Sequence, residues 1–239
     1  MKVTDLHRWS LSYSKARHCQ SALASKVRFI PLKKKPKLIA GLDCAFTKDG
    51  KKIIAAVVVL KAPDFTPIET ASALRKLTFP YIPGLLSFRE APACIAAVKK
   101  LKTTPDIFII DGQGIAHPRR LGLAAHLGLF FDKPTIGCAK SRLTGFFEEP
   151  PSEKGAYTFL MDKESAMLKK SDGRPVTSDD VIGAVVRTRT NVKPLFVSVG
   201  NKCLLKDAVK ITLRCAIKYR LPEPTRLAHQ LVGKLRLTA

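Results

Sequence analysis

Residues 105–114 read Pro-Asp-Ile-Phe-Ile-Ile-Asp-Gly-Gln-Gly, and this stretch decides the fold class. The apolar run at 107–110 predicts a buried strand, which ends on the ionisable Asp111 and a Gly-x-Gly turn. In α/β sheets, ligands bind at the carboxyl ends of the central strands. Burial of a carboxylate is costly unless a cation or hydrogen-bond donors compensate it. Asp111 is therefore the first candidate for a metal ligand.

The patterns on both sides of this strand predict a mixed sheet. Apolar runs at 38–46 and 53–60 flank an Asp-Gly turn and predict a hairpin, and 68–79 predicts a third strand beside it. Downstream, strands and helices alternate, which indicates parallel strands with helical crossovers. The other expected elements are helices at 16–27, 90–102 (with Pro92 in its first turn), 119–129, 206–217 and 225–234, strands at 134–138, 181–187 and 195–199, and a surface loop at 147–180.

These elements together predict an α/β fold, a mixed central sheet with helices on both faces. At 239 residues the chain is long enough to bury one substantial core, and we expect a single domain spanning residues 1–239. The sequence contains no internal repeat and no low-complexity tract.

The charge of the chain points to a polyanionic partner. Lys and Arg number 42 against 19 Asp and Glu, a formal net charge of +23. Each phosphate that Lys or Arg neutralises releases a counterion, so nucleic acid is the favoured partner. Solubility alone, or an acidic lipid surface, are the alternatives that charge leaves open.

Cysteine usage and hydropathy bear on the setting of the protein. The six cysteines form no C-x-x-C pair and no Cys/His cluster at zinc spacing. Residues 1–10 lack the apolar core of a signal peptide, and the apolar run 53–60 is far shorter than a membrane span. We therefore expect a soluble, cytoplasmic protein without a membrane partner.

A second carboxylate, Asp43, lies within the strand predicted at 38–46. Strand alternation places it on the same face as Gly41 and Ala45, whose small side chains leave room beside it. A single strand aspartate is usually a structural group. Together with Asp111 and with Glu90 at the start of a helix, however, it forms a possible carboxylate trio. Magnesium prefers such oxygen ligands, and two such ions can assist an in-line phosphoryl displacement.

The segment Phe79-Pro80-Tyr81-Ile82-Pro83-Gly84 predicts a stiff turn. Each proline fixes its own φ and extends the residue before it, and the glycine permits a sharp exit. Such a turn would present Tyr81 and Ile82, and proteins that separate bases insert apolar or aromatic side chains between them. An ordinary Pro-Gly turn with the tyrosine packed beneath it is the alternative.

Two basic segments follow strands in the predicted sheet. His117 precedes two arginines directly after the turn 112–114, and Lys140 follows the strand predicted at 134–138. Each could serve a phosphate, and each could equally be a solvated surface group. The turn 112–114 lacks the third glycine of a dinucleotide-binding fingerprint, which argues against an oxidoreductase.

In order and spacing, five motifs resemble those of the endonuclease V (deoxyinosine 3′ endonuclease) family. The resemblance covers nearly the whole chain outside 147–180. The motifs are Leu-Asp-Cys-Ala-Phe at 42–46, Pro-Tyr-Ile-Pro-Gly at 80–84 with Phe-Arg-Glu at 88–90, Asp-Gly-Gln-Gly-x-x-His-Pro-Arg at 111–119, Pro-Thr-Ile-Gly-x-Ala-Lys at 134–140, and Pro-Glu-Pro-Thr-Arg at 222–226.

The resemblance implies a ribonuclease H-like fold and a magnesium-dependent nuclease, with manganese tolerated. The family recognises deaminated adenine, as deoxyinosine or inosine, and cleaves the second phosphodiester bond on its 3′ side. By motif, Asp43, Glu90 and Asp111 would be the metal carboxylates. Lys140 would serve the phosphate and the water, and His229 would lie near the second metal position.

The resemblance also implies how the lesion is read. Tyr81, Ile82, Pro83 and Gly84 would form a wedge that separates the strands. A flipped base would enter a pocket whose expected lining is Gly84, Leu86, Gly112, His117, Gly137 and Leu143. Base flipping agrees with the physical argument that a base edge is largely hidden inside a duplex.

This chain departs from the family pattern in two places. Asn201 stands where the family usually carries a histidine, and residues 202–206 lack the usual polar helix-capping pattern. The charge of +23 is also high for the family, which would imply tighter and less selective backbone binding.

The sequence and the resemblance thus predict a class of partner and a reaction. We expect a monomeric, metal-dependent endonuclease that acts on DNA containing deoxyinosine or other deaminated or distorted bases and so initiates repair. An inosine-specific endoribonuclease and a non-catalytic basic nucleic-acid-binding protein are the alternatives. The Pro-Tyr-Ile-Pro-Gly form of the wedge favours DNA over inosine-containing RNA.

Overall fold

A computed structural model of the chain describes residues 1–162 and 180–238. The expected loop at 147–180 therefore lies partly outside the described residues. The helices are α1 (Tyr13–Ala24), α2 (Leu86–Lys99), α3 (Leu123–Phe131), α4 (Leu205–Cys215) and α5 (Glu223–Leu237), and the strands are β1 (Leu38–Phe46), β2 (Lys52–Lys61), β3 (Thr66–Lys76), β4 (Ile107–Ile110), β5 (Thr135–Ala139), β6 (Tyr157–Met161), β7 (Val181–Val186) and β8 (Leu195–Asn201).

These strands form one mixed sheet in the order β3-β2-β1-β4-β5-β8-β7-β6. The first three strands are antiparallel neighbours, and the Asp-Gly turn between β1 and β2 places Gly50 at a φ of +67°. Strands β1, β4 and β5 run parallel. Their carboxyl ends therefore meet at one edge of the sheet, and the expected hairpin and crossovers are confirmed.

Helices cover both faces of the sheet, as the sequence predicts. On one face, Leu42 and Ile110 pack in a core with α2 and α3. On the other, Ile39 and Ile109 pack in a core with α4 and α5. Side chains alternate along a strand, so β1 serves both cores. None of the described helices combines the length and hydrophobicity that a membrane crossing requires.

Two expectations were wrong. Helix α2 begins at Leu86, so Pro92 lies in its interior rather than in its first turn. Proline there removes one backbone hydrogen bond, but Phe88 and Cys94, on either side of it, are fully buried, and this packing holds the helix together. Part of the expected loop is strand β6, which pairs antiparallel with β7 at the sheet edge.

The turn at Asn201, which departs from the family pattern, is held by hydrogen bonds within the protein. Asn201 is buried; its Oδ1 accepts from the Arg28 backbone N–H at 3.0 Å, and its Nδ2 donates to the Gly128 carbonyl at 3.0 Å. The Asp207 carboxylate accepts from the Leu204 backbone N–H at 3.3 Å and so caps α4. The capping side chain thus lies within the helix, one residue after the segment 202–206.

The contact between α5 and β1 depends on Gly41. A Cβ at this position would lie 1.9 Å from the Pro224 carbonyl carbon and oxygen. Backbone against backbone leaves no side chain that could move aside. Gly41 therefore sets the depth at which α5 lies on the sheet, two residues before Asp43 on the same strand face.

We expect Gly41→Ala to lower the free energy of unfolding by about 2 kcal/mol or more, because the added methyl overpacks a rigid contact. Denaturant titration measures this. The matched control is Gly233→Ala on α5, where a Cβ would meet nothing within 4 Å; removal of a glycine from a helix interior should raise stability by roughly 1 kcal/mol. Equal stabilities of the two variants would contradict the packing role of Gly41.

Candidate active site

The register of β1 and β4 brings two aspartates together. Leu42 pairs with Ile110 in the parallel ladder, and the Asp111 backbone N–H donates to the Leu42 carbonyl at 3.0 Å. Asp43 and Asp111, the next residues, thus lie side by side at the carboxyl edge of the sheet. Both point to the face that α5 covers, because Leu42 and Ile110 point to the other.

Helix α5 adds an imidazole to this pair. His229 Nδ1 lies 2.7 Å from Asp43 Oδ2, and one ligand atom from each of Asp43, Asp111 and His229 lies within 4.8 Å of the other two. Such a set of two carboxylates and one imidazole is compatible with a divalent metal ion. The sequence patterns alone identified the two aspartates, whereas His229 followed only from the family resemblance.

A cation and a backbone amide complete the immediate surroundings of the carboxylates. Lys140, just after β5, places its Nζ 2.6 Å from Asp111 Oδ2. The Cys44 backbone N–H donates to Asp43 Oδ1 at 2.7 Å. Lys140 thus places a positive charge directly beside the carboxylate pair in the same cleft.

Glu90 approaches from the opposite side of the sheet. It is buried on α2, and it interacts with the Cys44 side chain as well as with the charges of Asp43 and Asp111. It therefore does not join the compact group of two aspartates and one histidine. All three carboxylates of the expected trio line one cleft, but Glu90 lies outside the group formed by Asp43, Asp111 and His229.

Burial controls the protonation of Asp43 and Glu90. Desolvation, reinforced by the charge of Asp111, raises the pKa of Asp43, and the hydrogen bonds from His229 and the Cys44 amide oppose that shift. Desolvation, with the charges of both aspartates, raises the pKa of Glu90 to about 7. Negative charge is thus concentrated where water solvates it poorly, an arrangement that favours a bound cation.

The three acids line a cleft of about 670 Å³. The expected wedge, residues 81–84, lies along it, and the Tyr81 side chain is 70% exposed. We call residues 81–84 the wedge loop. Tyr81 is neither packed away nor covered, which removes the alternative of a tyrosine buried beneath its own turn.

The expected base pocket is largely assembled in the same cleft. Leu86 and Leu143, both exposed, line it together with Gly84, Gly112 and His117. Gly137 does not line it. A Cβ there would lie 2.3 Å from the Gly114 backbone nitrogen, so this glycine lets β5 pack closely behind the 112–114 turn.

Sequence reasoning missed several residues of the cleft. Gln113 Nε2 donates to the Ser141 carbonyl at 3.0 Å and ties two cleft loops together. Arg236, on the last turns of α5, is an exposed cation on the cleft wall. Arg236 follows His229 by seven residues, which places both on the same face of the helix. This spacing is visible in the sequence and could have identified Arg236.

Comparison with known proteins identifies related chains. A family model described as Endonuclease V matches residues 21–230. Endonuclease V from Nostoc punctiforme is 45% identical over 234 residues, covering 98% of this chain and 99% of its own. The solved endonuclease V of Bacillus subtilis is 33% identical, with a TM-score of 0.88 and coverage of 100% and 98%. These structures have a ribonuclease H-like fold, so the expected fold class is confirmed.

A solved complex bears on ligands. Endonuclease V from Ciona intestinalis was crystallised with a 24-mer DNA that contains an inosine followed by a ribo-adenosine. It is 28% identical to this chain with a TM-score of 0.73, and the match covers 94% of this chain and 98% of that one.

The buried His117 should make stability depend on pH. Burial, aided by the charge of Arg119, lowers the pKa of His117 to about 4, and its Nδ1 accepts from the Arg119 backbone N–H at 3.1 Å. The folded state therefore binds fewer protons than the unfolded state between pH 4 and 6.5, so stability is lost as pH falls through that window. The maximum contribution is about 3 kcal/mol.

We expect the stability difference between wild type and His117→Asn to shrink by about this amount between pH 7 and pH 4. Urea titrations across the range measure it. His18→Asn, on the exposed face of α1, is the control and should follow the wild-type profile. Parallel profiles for wild type and His117→Asn would show that the imidazole is not held neutral by the fold.

Proposed function

The chain belongs to the endonuclease V family, and on that premise we propose that it is a magnesium-dependent endonuclease that recognises deoxyinosine in DNA. It cleaves the second phosphodiester bond on the 3′ side of the lesion and so initiates repair. The observation that carries this proposal is the compact group of Asp43, Asp111 and His229 in a cleft bordered by an exposed wedge loop. We also propose that residues 1–239 act as one domain and as a monomer.

Asp43 and Asp111, with Glu90 on α2 as the third carboxylate, would hold the metal, and His229 would lie near a second metal position. A divalent cation bound there supplies Lewis acidity to the phosphate and lowers the pKa of bound water. Lys140 exchanges its ion pair with Asp111 for the scissile phosphate when substrate enters. His229, hydrogen-bonded to Asp43, orients that carboxylate for its ligand role.

The positive charge of the whole chain acts first, on the approach of nucleic acid, and the negative charge of the cleft acts afterwards, on the bound phosphate. A net charge of +23 attracts nucleic acid and speeds encounter at low salt. The cleft itself holds three carboxylates, which repel a phosphate until a cation neutralises them. Binding to DNA would thus not need the metal, whereas a cation held by these carboxylates would offset their repulsion of the scissile phosphate.

Recognition uses the wedge loop and the pocket behind it. Tyr81 enters the base stack, and the displaced base turns into the pocket lined by Leu86, His117 and Leu143. A neutral His117 suits this place, because burial keeps the imidazole uncharged and its Nδ1 accepts from the Arg119 amide. Unpairing costs least at a mismatched or damaged base, which contributes to selectivity.

Inosine-containing RNA is the second candidate substrate. The ribo-adenosine after the inosine in the Ciona intestinalis complex favours it, since that relative accommodates a ribose next to the lesion base. Matched inosine-DNA and inosine-RNA substrates decide between the two.

The direct test is cleavage of an end-labelled duplex with a single deoxyinosine, with magnesium and with chelator. We expect a magnesium-dependent nick at the second bond 3′ to the lesion, and manganese should replace magnesium. Binding without a nick, on this duplex and on its RNA counterpart, would contradict the proposal and leave a nucleic-acid-binding protein.

Asp43→Asn should lower the rate of cleavage by at least about a thousandfold, a loss of roughly 4 kcal/mol in transition-state stabilisation, while affinity for duplex DNA stays near the wild-type value. Single-turnover cleavage and filter binding measure the two effects. Asp5→Asn, at an exposed residue paired with Lys99, is the charge-matched control. Retention of the wild-type rate by Asp43→Asn would refute the assignment of the metal ligands.

Tyr81→Ala should weaken lesion selectivity more than backbone affinity, by roughly tenfold, because stacking contributes about 1–3 kcal/mol per base. Competition between inosine-containing and undamaged duplex measures it. Tyr157→Ala, at an exposed tyrosine outside the cleft, is the control. An equal loss of affinity on both duplexes would rule out the wedge role.

A further inference from the structure

The wedge loop is held from behind by a residue of α1. Gln20 is fully buried. Its Nε2 donates to the Gly84 carbonyl at 3.1 Å and to the Leu121 carbonyl at 2.7 Å. Its Oε1 accepts from Arg119 Nε at 2.5 Å. One amide thus joins α1, the wedge loop and the segment that follows the 112–114 turn.

Arg119 closes this arrangement. Its Nη2 donates to the same Gly84 carbonyl at 2.7 Å, so this one oxygen accepts from both side chains. Gly84 has a φ of +77°, and a Cβ there would lie 2.7 Å from Arg119 Nη2. The left-handed backbone favours glycine at this position, and a Cβ there would push the guanidinium away from the Gly84 carbonyl.

The wedge loop also makes apolar contacts on the side that faces α1. Ile82 packs against a buried cluster that includes Ala16 of α1 and Phe79 and Phe88 around the loop. Tyr81 itself points away and is exposed. The loop is therefore clamped at its base while its tip is free.

We propose that Gln20 is a positioning residue for lesion recognition: with Arg119 it forms a latch on the Gly84 carbonyl that keeps the wedge loop rigid. The proposal rests on the proposed function, in which the wedge loop separates stacked bases. Unstacking one base step costs a few kcal/mol. A flexible loop would change its own conformation instead of separating the bases, so the wedge loop must be rigid to open the duplex. Functional groups act at their best when the residues behind them fix their geometry.

The latch accounts for a feature of α1 that packing alone does not. The helix is short and largely exposed, with Lys15, Arg17 and His18 in solvent. A buried glutamine there loses its hydration and regains it only through partners placed with accuracy. An apolar residue would pack at this position without that requirement.

The first arm of the test needs no substrate. Hydrogen exchange is measured by mass spectrometry on wild type and Gln20→Leu, which removes the amide at similar volume. We expect roughly tenfold faster exchange in residues 79–86, from the loss of about one hydrogen bond, and no change in residues 107–110. Unchanged exchange in residues 79–86 would overturn the latch.

The second arm compares kcat/KM on a deoxyinosine duplex and on the same strand alone. Only the duplex requires strand separation, so Gln20→Leu should lower the duplex-to-single-strand ratio by roughly tenfold with single-strand cleavage unchanged. In the Tyr81→Ala background the same change should have no further effect on the ratio. Equal losses on both substrates, or a full additional loss beside Tyr81→Ala, would overturn the proposal.

Two further variants keep the test decisive. Gln20→Glu retains an acceptor for Arg119, which supports folding, but lacks the amide N–H groups and should show the same fall in ratio. Leu23→Ala removes a buried side chain of α1 that packs near Leu121. It should lower the thermal midpoint of unfolding yet keep the wild-type duplex-to-single-strand ratio. A fall in that ratio for Leu23→Ala would show that Gln20 acts only by stabilising α1.

A wild-type protein that cuts neither substrate would contradict the proposed function. The hydrogen-exchange measurement would still show whether Gln20 holds the wedge loop.

Discussion

The parallel pairing of β1 with β4 is the constraint on which the site depends. It sets Asp43 beside Asp111 at the carboxyl edge of the sheet, and both strands are buried on each face. Burial, reinforced by the like charge of Asp111, raises the pKa of Asp43 and costs free energy until a cation compensates the carboxylates. The hydrophobic core thus imposes the proximity that a metal site requires.

Elements from both faces of the sheet meet at this edge. Helix α5 brings His229 from one face, at a depth set by the contact of Gly41 with Pro224, and α2 brings Glu90 from the other. Because side chains alternate along β1, Asp43 and its neighbour Cys44 face different helices. The same strand therefore presents a carboxylate to α5 and a thiol to Glu90.

Charge is organised on two scales. The chain as a whole is strongly basic, whereas the cleft concentrates carboxylates around one lysine, Lys140. A long-range attraction for nucleic acid and a short-range demand for a cation coexist in one molecule. Rigid elements behind the cleft, above all the contacts at Gly84, connect this chemistry to the exposed tip at Tyr81.

Much of the fold and part of the site could be predicted from the sequence. Continuous apolar runs on both sides of the Asp-Gly turn predict β1 and β2. Ionisable residues in or just after apolar strands identify Asp43 and Asp111, because those signals are local. The place of His229 depends on how α5 packs on β1, and no local pattern reports that. Gln20 contacts residues 64 and 101 positions away, a separation that spacing rules do not cover. Helix α2 runs through Pro92 because tertiary packing outweighs propensity.

Anomalous diffraction from crystals of the protein grown with manganese would locate the metal site directly. We predict a manganese peak in contact with Asp43 and Asp111, at the edge of the sheet where β1 and β4 end. The peak should vanish in crystals of a variant in which both aspartates are asparagine. Manganese bound elsewhere, with both carboxylates still paired only to Lys140 and His229, would contradict the account.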